Sequence, residues 1–180
     1  MDMLKTEIED ILILRPSVHA DSRGSFFESY NKALLSTMNL EIDFVQDNES
    51  KSDFGVLRGI HFQKPPFEQS KLVRVIKGKV QDIAIDLRPT SQTYKQYVSV
   101  ILDDENKEQL FIPKGFGHAF LTLSKYAIVV YKVDCIYDKD SDSGIKYDDS
   151  SINIDWKLDK NRIILLKSNV FLFKTYRISR

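Results

Sequence analysis

A chain of 180 residues with 42% hydrophobic and 29% charged side chains has the material for one ordinary domain with a sizeable core, and seven glycines and five prolines exclude both intrinsic disorder and collagen-like structure. No apolar run approaches the roughly 18–20 residues a membrane-spanning helix needs. The 26 basic and 26 acidic residues cancel, but seven of the basic ones lie in residues 157–180 beside one acid, Asp159, so the first 156 residues hold 19 basic and 25 acidic side chains. An acidic body argues against a general nucleic-acid surface, which needs clustered Lys and Arg, and favours a small-molecule protein.

The amino-terminal stretch MDMLKTEIEDI places acids where a secretory signal requires continuous apolar residues, and Cys135, the single cysteine, cannot form an internal disulfide. Both point to a reducing, cytoplasmic setting. Along the chain, Glu9–Arg15 is a β-branched run stopped by Pro16, and Asn31–Met38 is the one convincing helix, with Leu34, Leu35 and Met38 on one face. Strands follow at Leu72–Ile76, Val80–Leu87, Gln96–Leu102, Leu110–Ile112, Phe120–Leu123 and Ile128–Val133, several of them alternating with period two and bounded by turns such as Lys77-Gly78-Lys79. Short strands at close intervals, without strand–helix–strand alternation or a glycine-rich phosphate loop, predict a single all-β sandwich or barrel with a few short helices. The expected layout is N-terminal strands to about residue 45, a barrel core at about 46–135, and a C-terminal segment at about 136–180 with an atypical basic tail from about 166.

Chemistry is sought first at the three histidines, the side chains that titrate near neutral pH. His19 sits in a turn-rich loop. His61 lies in Leu57-Arg58-Gly59-Ile60-His61-Phe62-Gln63, where alternation puts Gly59, His61 and Gln63 on one face, and His118 follows the turn Pro113-Lys114-Gly115-Phe116-Gly117. Singly, each histidine reads as a hydrogen-bonded core residue; as a pair beside Arg58 they read as one pocket.

The HxQ segment and the PxGxxH segment some 50 residues later resemble the two half-motifs of a cupin jelly roll, a double-stranded β-helix. Metal-binding cupins carry a second histidine where this chain has Gln63, and two imidazoles without a third strong ligand suit zinc or iron poorly, so no metal and no cofactor are expected. A finer resemblance runs through Asp21–Glu28 (DSRGSFFE), Gln46-Asp47-Asn48, Leu57–Gln63, Lys71–Gly78, Asp86-Leu87-Arg88, Pro113–Phe120, Tyr131-Lys132, Gly144-Ile145, Asp148-Asp149 and Ile154-Asp155-Trp156. These segments, in this order over about residues 5–165, are similar to the motifs of the dTDP-4-dehydrorhamnose 3,5-epimerase family.

That resemblance implies inversion at the carbons beside a ketone, which needs a base on one face, an acid on the other and positive charge at the enolate oxygen. It implies His61 as base, Tyr131 as acid and Lys71 at the enolate oxygen. It assigns Arg58 and Arg23 to the diphosphate, and Phe26, Glu28, Gln46, Asp47 and Asn48 to substrate contacts. Gln63 falls among the substrate contacts, His118 on the sugar or phosphate region, Tyr137 on the thymine ring, and Asp142 where the family usually has Glu. It further implies a homodimer whose N-terminal region completes the neighbouring nucleotide site; Glu9–Arg15, without an obvious partner of its own, is compatible with such exchange.

The C-terminus departs from the pattern. Asn169 stands where the family has an Asp that holds the catalytic histidine, which leaves three explanations: a weakened dyad with reduced activity, another acid such as Asp82 or Asp86 in its place, or a diverged or frame-altered tail. The leading expectation is 3,5-epimerisation of dTDP-4-dehydro-6-deoxy-D-glucose in deoxysugar and surface-polysaccharide synthesis. The rivals are a C3-only epimerase on a related nucleotide sugar, a sugar 3,4-ketoisomerase, a non-catalytic nucleotide-sugar-binding cupin, and a metal-dependent cupin dioxygenase.

Overall fold

Strands that alternate with period two bury one face each, and where the pattern offers one convincing helix those faces are covered mainly by stacking sheet on sheet. The computed structural model, which describes residues 1–165, does this. In chain order the strands are β1 (Asp2–Lys5), β2 (Leu12–Arg15), β3 (His19–Asp21), β4 (Gly24–Phe26), β5 (Gln46–Asp53), β6 (Val56–Gln63), β7 (Lys71–Lys77), β8 (Lys79–Asp86), β9 (Tyr97–Asp103), β10 (Gln109–Ile112), β11 (Phe116–Thr122), β12 (Tyr126–Val133), β13 (Asp142–Gly144) and β14 (Ile164–Leu165). One sheet has the order β1-β2-β10-β7-β12-β5 and faces a second, β13-β6-β11-β8-β9, with β14 parallel to β6. The expected all-β jelly roll is the observed architecture. Among the described residues no helix is long and apolar enough to cross a membrane.

The inner core is Val73, Val75, Val80, Ala84, Leu110, Phe120 and Val129. Each sheet also carries an outer layer. Leu12, Leu14, Leu72 and Phe111 are covered by helix α1 (Lys32–Thr37) through Leu35, and Ile60, Ile83, Ile85 and Ala119 by Ile145, Ile152 and Trp156. The helix falls where the spacing of Leu34, Leu35 and Met38 put it, with Asn31 as N-cap accepting from the Leu34 amide. Because β8 is covered on both faces, its alternating polar residues are buried too, Gln81, Asp82 and Asp86 having no exposed surface. Gln81 meets that demand by donating to Ser99 Oγ and the Asp155 carbonyl and accepting from the Lys157 amide, which ties the C-terminal layer to the sheet.

Two expectations change. The run at Glu9–Arg15 is a strand only from Leu12, and β2 has partners on both sides, β1 and β10, within its own chain. The segment that stands apart is the β3–β4 hairpin, a two-stranded sheet that pairs with neither of the others and leaves Phe26 68% exposed. Strand β5 escaped the sequence pattern because QDNESKSD contains no apolar residue; it pairs along its whole length with β12.

The decisive irregularity lies in β6. His61 faces His118 and Arg58 faces Phe120, so the two residues Gly59 and Ile60 oppose the single Ala119. This is a β-bulge, and the extra residue shifts the side-chain phase. Arg58 and His61, three apart, now share the inner face with His118 and Phe120, while Ile60 turns to the outer layer. The predicted grouping of Gly59 with His61 is therefore corrected. Gly59 has φ of 116°, and a Cβ there would sit 2.6 Å from both Ala119 Cβ and the His118 carbonyl oxygen. Replacing Gly59 with Ala is expected to cost more than about 2 kcal/mol of stability, read as a lowered denaturant midpoint, and to reduce turnover even in the folded fraction because Arg58 and His61 lose their common face.

Candidate active site

The inner faces converge on a polar patch at one end of the core. From the second sheet come Arg58 and His61 on β6, His118 on β11 and Asp82 on β8; from the first come Lys71 on β7, Tyr131 on β12, and Gln46, Asn48 and Ser52 on β5. Strand β5 reads polar because its inner residues line this patch instead of the apolar core, and Ser50 Oγ, on the same face, is buried without a hydrogen-bond partner among the described residues.

His118 Nε2 lies 3.0 and 3.1 Å from the two oxygens of the fully buried Asp82. A carboxylate can only accept, so it is His118 Nε2 that carries a proton and donates to Asp82. The His118 ring stands edge-on to Tyr131, centroids 6.4 Å apart, and the Lys71 ammonium is 5.7 Å from the centroid of the Tyr131 ring. Arg58 donates through Nε to Ser52 Oγ at 2.8 Å and through its terminal nitrogen to the Lys51 carbonyl at 3.3 Å.

Burial dominates the electrostatics. His61 is pushed down to about 3, by desolvation first and then by the charges of Lys71, His118 and Arg58, so its imidazole is neutral and able to accept a proton. Lys71 falls to about 8 through desolvation, with Asp82 and Asp142 opposing the fall. Desolvation raises Tyr131, Asp142 adds to that and Arg58 works against it, so the phenol holds its proton at neutral pH. Asp142 is itself raised by burial, against hydrogen bonds from Tyr137 and the Ser143 amide.

At the rim, Tyr137 donates through its hydroxyl to Asp142 at 3.2 Å and through its amide to Gln46 Oε1, while Gln46 Nε2 donates to Asn48. Of the anticipated site residues, His61, Tyr131, Lys71, Arg58, His118, Gln46 and Asn48 are thus gathered on the two walls, with Tyr137 and Asp142 at the edge. Others are placed differently. Asp47 points to the outer face, paired with Lys132 at 2.8 Å, because alternation along β5 separates it from Gln46 and Asn48. Arg23 and Phe26 ride on the exposed hairpin, Arg23 in an ion pair with Asp21, and Glu28 lies on the surface, accepting from Asn31. Gln63 is buried with its amide bound to backbone groups. Asn169 lies outside the described residues. Neither acid suggested in place of its Asp counterpart is uncommitted: Asp82 holds His118, and Asp86 accepts from Arg88, Ser91 and Thr93. Burial opposes ionisation of Asp86, but those hydrogen bonds prevail and keep it well below the usual carboxylate range.

Ser52 goes unassigned from sequence and gives no signal. Asp82 is named there only as a possible substitute for the C-terminal acid, not as the partner of His118, although it falls in phase with Val80 and Ala84 and a carboxylate on a core face needs a buried partner. Among the described residues no three His, Cys, Asp or Glu side chains converge as metal donors.

An imidazole and a phenol on opposed sheets, with a buried ammonium beside the phenol, make this a cupin pocket whose groups can give and take protons. Residues 5–170 match the sequence profile of dTDP-4-dehydrorhamnose 3,5-epimerases. The protein of that name from Methanothermobacter thermautotrophicus is 49% identical over 156 residues, which span 87% of this chain and 84% of that one. The crystal structure of the Bacillus anthracis enzyme of that name, with TDP and PPi bound, is similar at a TM-score of 0.88 and 44% identity, over 91% of this chain and 93% of the other. That of a Legionella pneumophila dTDP-6-deoxy-D-glucose-3,5-epimerase in complex with dTDP-4-keto-L-rhamnose gives 0.87 and 42%, over 91% and 87%. The chain belongs to the dTDP-4-dehydrorhamnose 3,5-epimerase family, and is an isomerase.

The lowering of Lys71 yields a prediction for the pH dependence. Its charged form exists below about 8, so kcat/KM is expected to fall as pH rises through that region. Lys71→Met should lower kcat by about 10²–10³-fold and abolish this alkaline limb, checked by pH–rate profiles of both proteins.

Proposed function

We propose that this chain converts dTDP-4-dehydro-6-deoxy-D-glucose to dTDP-4-dehydro-L-rhamnose by epimerisation at C3 and C5, in deoxysugar and surface-polysaccharide synthesis. The observation that carries the proposal is the placement of His61 and Tyr131 on opposite sheets. Inversion requires removal of a proton from one face of the ring and return from the other, and two opposed walls supply the two faces.

His61, kept neutral by its surroundings, removes the proton beside the ketone, and the electron pair moves onto the carbonyl oxygen as an enolate. Lys71 offsets that charge in a water-poor cavity, where an ammonium acts strongly. Tyr131 then delivers its phenolic proton to the opposite face of the same carbon, leaving imidazolium and phenolate, which re-equilibrate with water before the second carbon is processed. An anionic diphosphate near Arg58 raises the proton affinity of His61 when substrate binds, since it counters the cations that depress it in the empty site. The aromatic face of Tyr137 stacks on thymine. The β3–β4 hairpin supplies Arg23 and Phe26 to the site of a second copy; its separation from both main sheets and the exposure of Phe26 support this reading of a homodimer.

Incubation with dTDP-4-dehydro-6-deoxy-D-glucose in D₂O, followed by NMR, tests the proposal: deuterium is expected at both C3 and C5. Uptake at C3 alone would select a C3-only epimerase, and binding without uptake a non-catalytic protein. His61→Asn should slow uptake at both carbons by about 10²–10⁴-fold. Tyr131→Phe should leave exchange at C3 but suppress inversion, because the base can still return deuterium to the face it served.

A further inference from the structure

We propose that Gln63 is a positioning residue that sets Tyr137 over the nucleotide pocket by fixing the backbone on both sides of it; this rests on the stacking role given to Tyr137 above. Gln63 is 7% exposed, and its amide reaches three backbone groups. Nε2 donates to the Phe67 carbonyl at 2.7 Å and to the Ile136 carbonyl at 3.3 Å, and Oε1 accepts from the Asp138 amide at 2.7 Å. Ile136 and Asp138 flank Tyr137. The Tyr137 amide is held by Gln46, and its hydroxyl by Asp142, which lies directly opposite Gln63 in the β13–β6 register.

This anchoring matters because packing does not supply it. Ile136 and Tyr137 are 62% and 45% exposed, so no core contact decides where the ring points. The position of an exposed ring is set by its backbone, and a ring fixed before the ligand arrives avoids an ordering cost on binding. Only a carboxamide can make all three bonds, because it offers two donors and an acceptor without charge, whereas a neutral imidazole has one donor, a carboxylate has none, and an asparagine is one carbon shorter. Gln63 also stands two residues from His61 on the same strand, so one rigid element carries the base and the anchor of the nucleotide aromatic.

The test compares Gln63→Leu, Tyr137→Ala and the double variant by TDP binding and steady-state kinetics on the full chain. Gln63→Leu is expected to weaken TDP binding and raise KM by about tenfold with kcat within about twofold, as does Tyr137→Ala, and the double variant should bind no more weakly than Tyr137→Ala. Full TDP affinity in Gln63→Leu, independent losses in the double variant, or a fall in kcat at unchanged KM would each overturn the proposal. A Tyr137→Ala variant that binds TDP as the wild type does would instead overturn the stacking role, and the proposal with it. Should Gln63→Leu fail to fold, Gln63→Glu serves: its carboxylate keeps the Asp138 contact but repels two carbonyls. Its TDP affinity is expected to be low at pH 8 and to recover relative to wild type on acidification, as the protonated acid donates again; no recovery would overturn the proposal.

Discussion

The site depends on one added residue in β6. Without the bulge that sets Gly59 and Ile60 against Ala119, strict alternation would send Arg58 to the outer face, where Ile60 now packs, and separate it from His61 on the inner wall. The bulge puts Arg58 and His61 on one side while sparing an isoleucine for the outer layer. It is possible only because Gly59 has no Cβ: His118 O and Ala119 come too close for any other residue. A strand that must serve both a core and a catalytic wall solves the conflict by changing phase between them.

The cavity it completes is electrostatically costly. Arg58, Lys71 and two imidazoles share a buried space in which Asp82 and Asp142 are the facing acids, and the response is visible in Lys71 at about 8 and His61 at about 3. Desolvated cations weaken a fold to the extent that their lost hydration is not replaced. They also bring a ready field to a ligand that is itself anionic and develops negative charge as it reacts. A second buried acid, Asp86, is fully committed outside the site, accepting from Arg88, Ser91 and Thr93 and so stabilising their loop.

The surrounding layers explain how so polar a wall is tolerated. Outer covers on both sheets bury Leu12, Leu14, Ile83 and Ile85, each contributing about 1.5–3 kcal/mol, so the end of the barrel that holds the site need not contribute to the core. Loops at that end are instead held by side chains bonded to backbone: Gln69 to the Cys135 carbonyl, Asp134 to the Ser70 amide, and Gln63 to both sides of Tyr137.

The sequence by itself determined the all-β class, the helix at Asn31–Met38 and most of the central strands, and it singled out His61, Lys71, Tyr131, Arg58 and His118, which the two sheets bring together, because period-two patterning and motif order are local properties of the chain. It could not reveal β5, whose inner residues are polar because they face the cavity, nor the turning of Asp47 away from its neighbours. The tertiary structure alone decided the phase of β6, the pairing of Asp82 with His118, the commitment of Gln63 to the Tyr137 loop and the separation of the β3–β4 hairpin. Each of these depends on which strand lies opposite, and that is settled only when the two sheets close on one another.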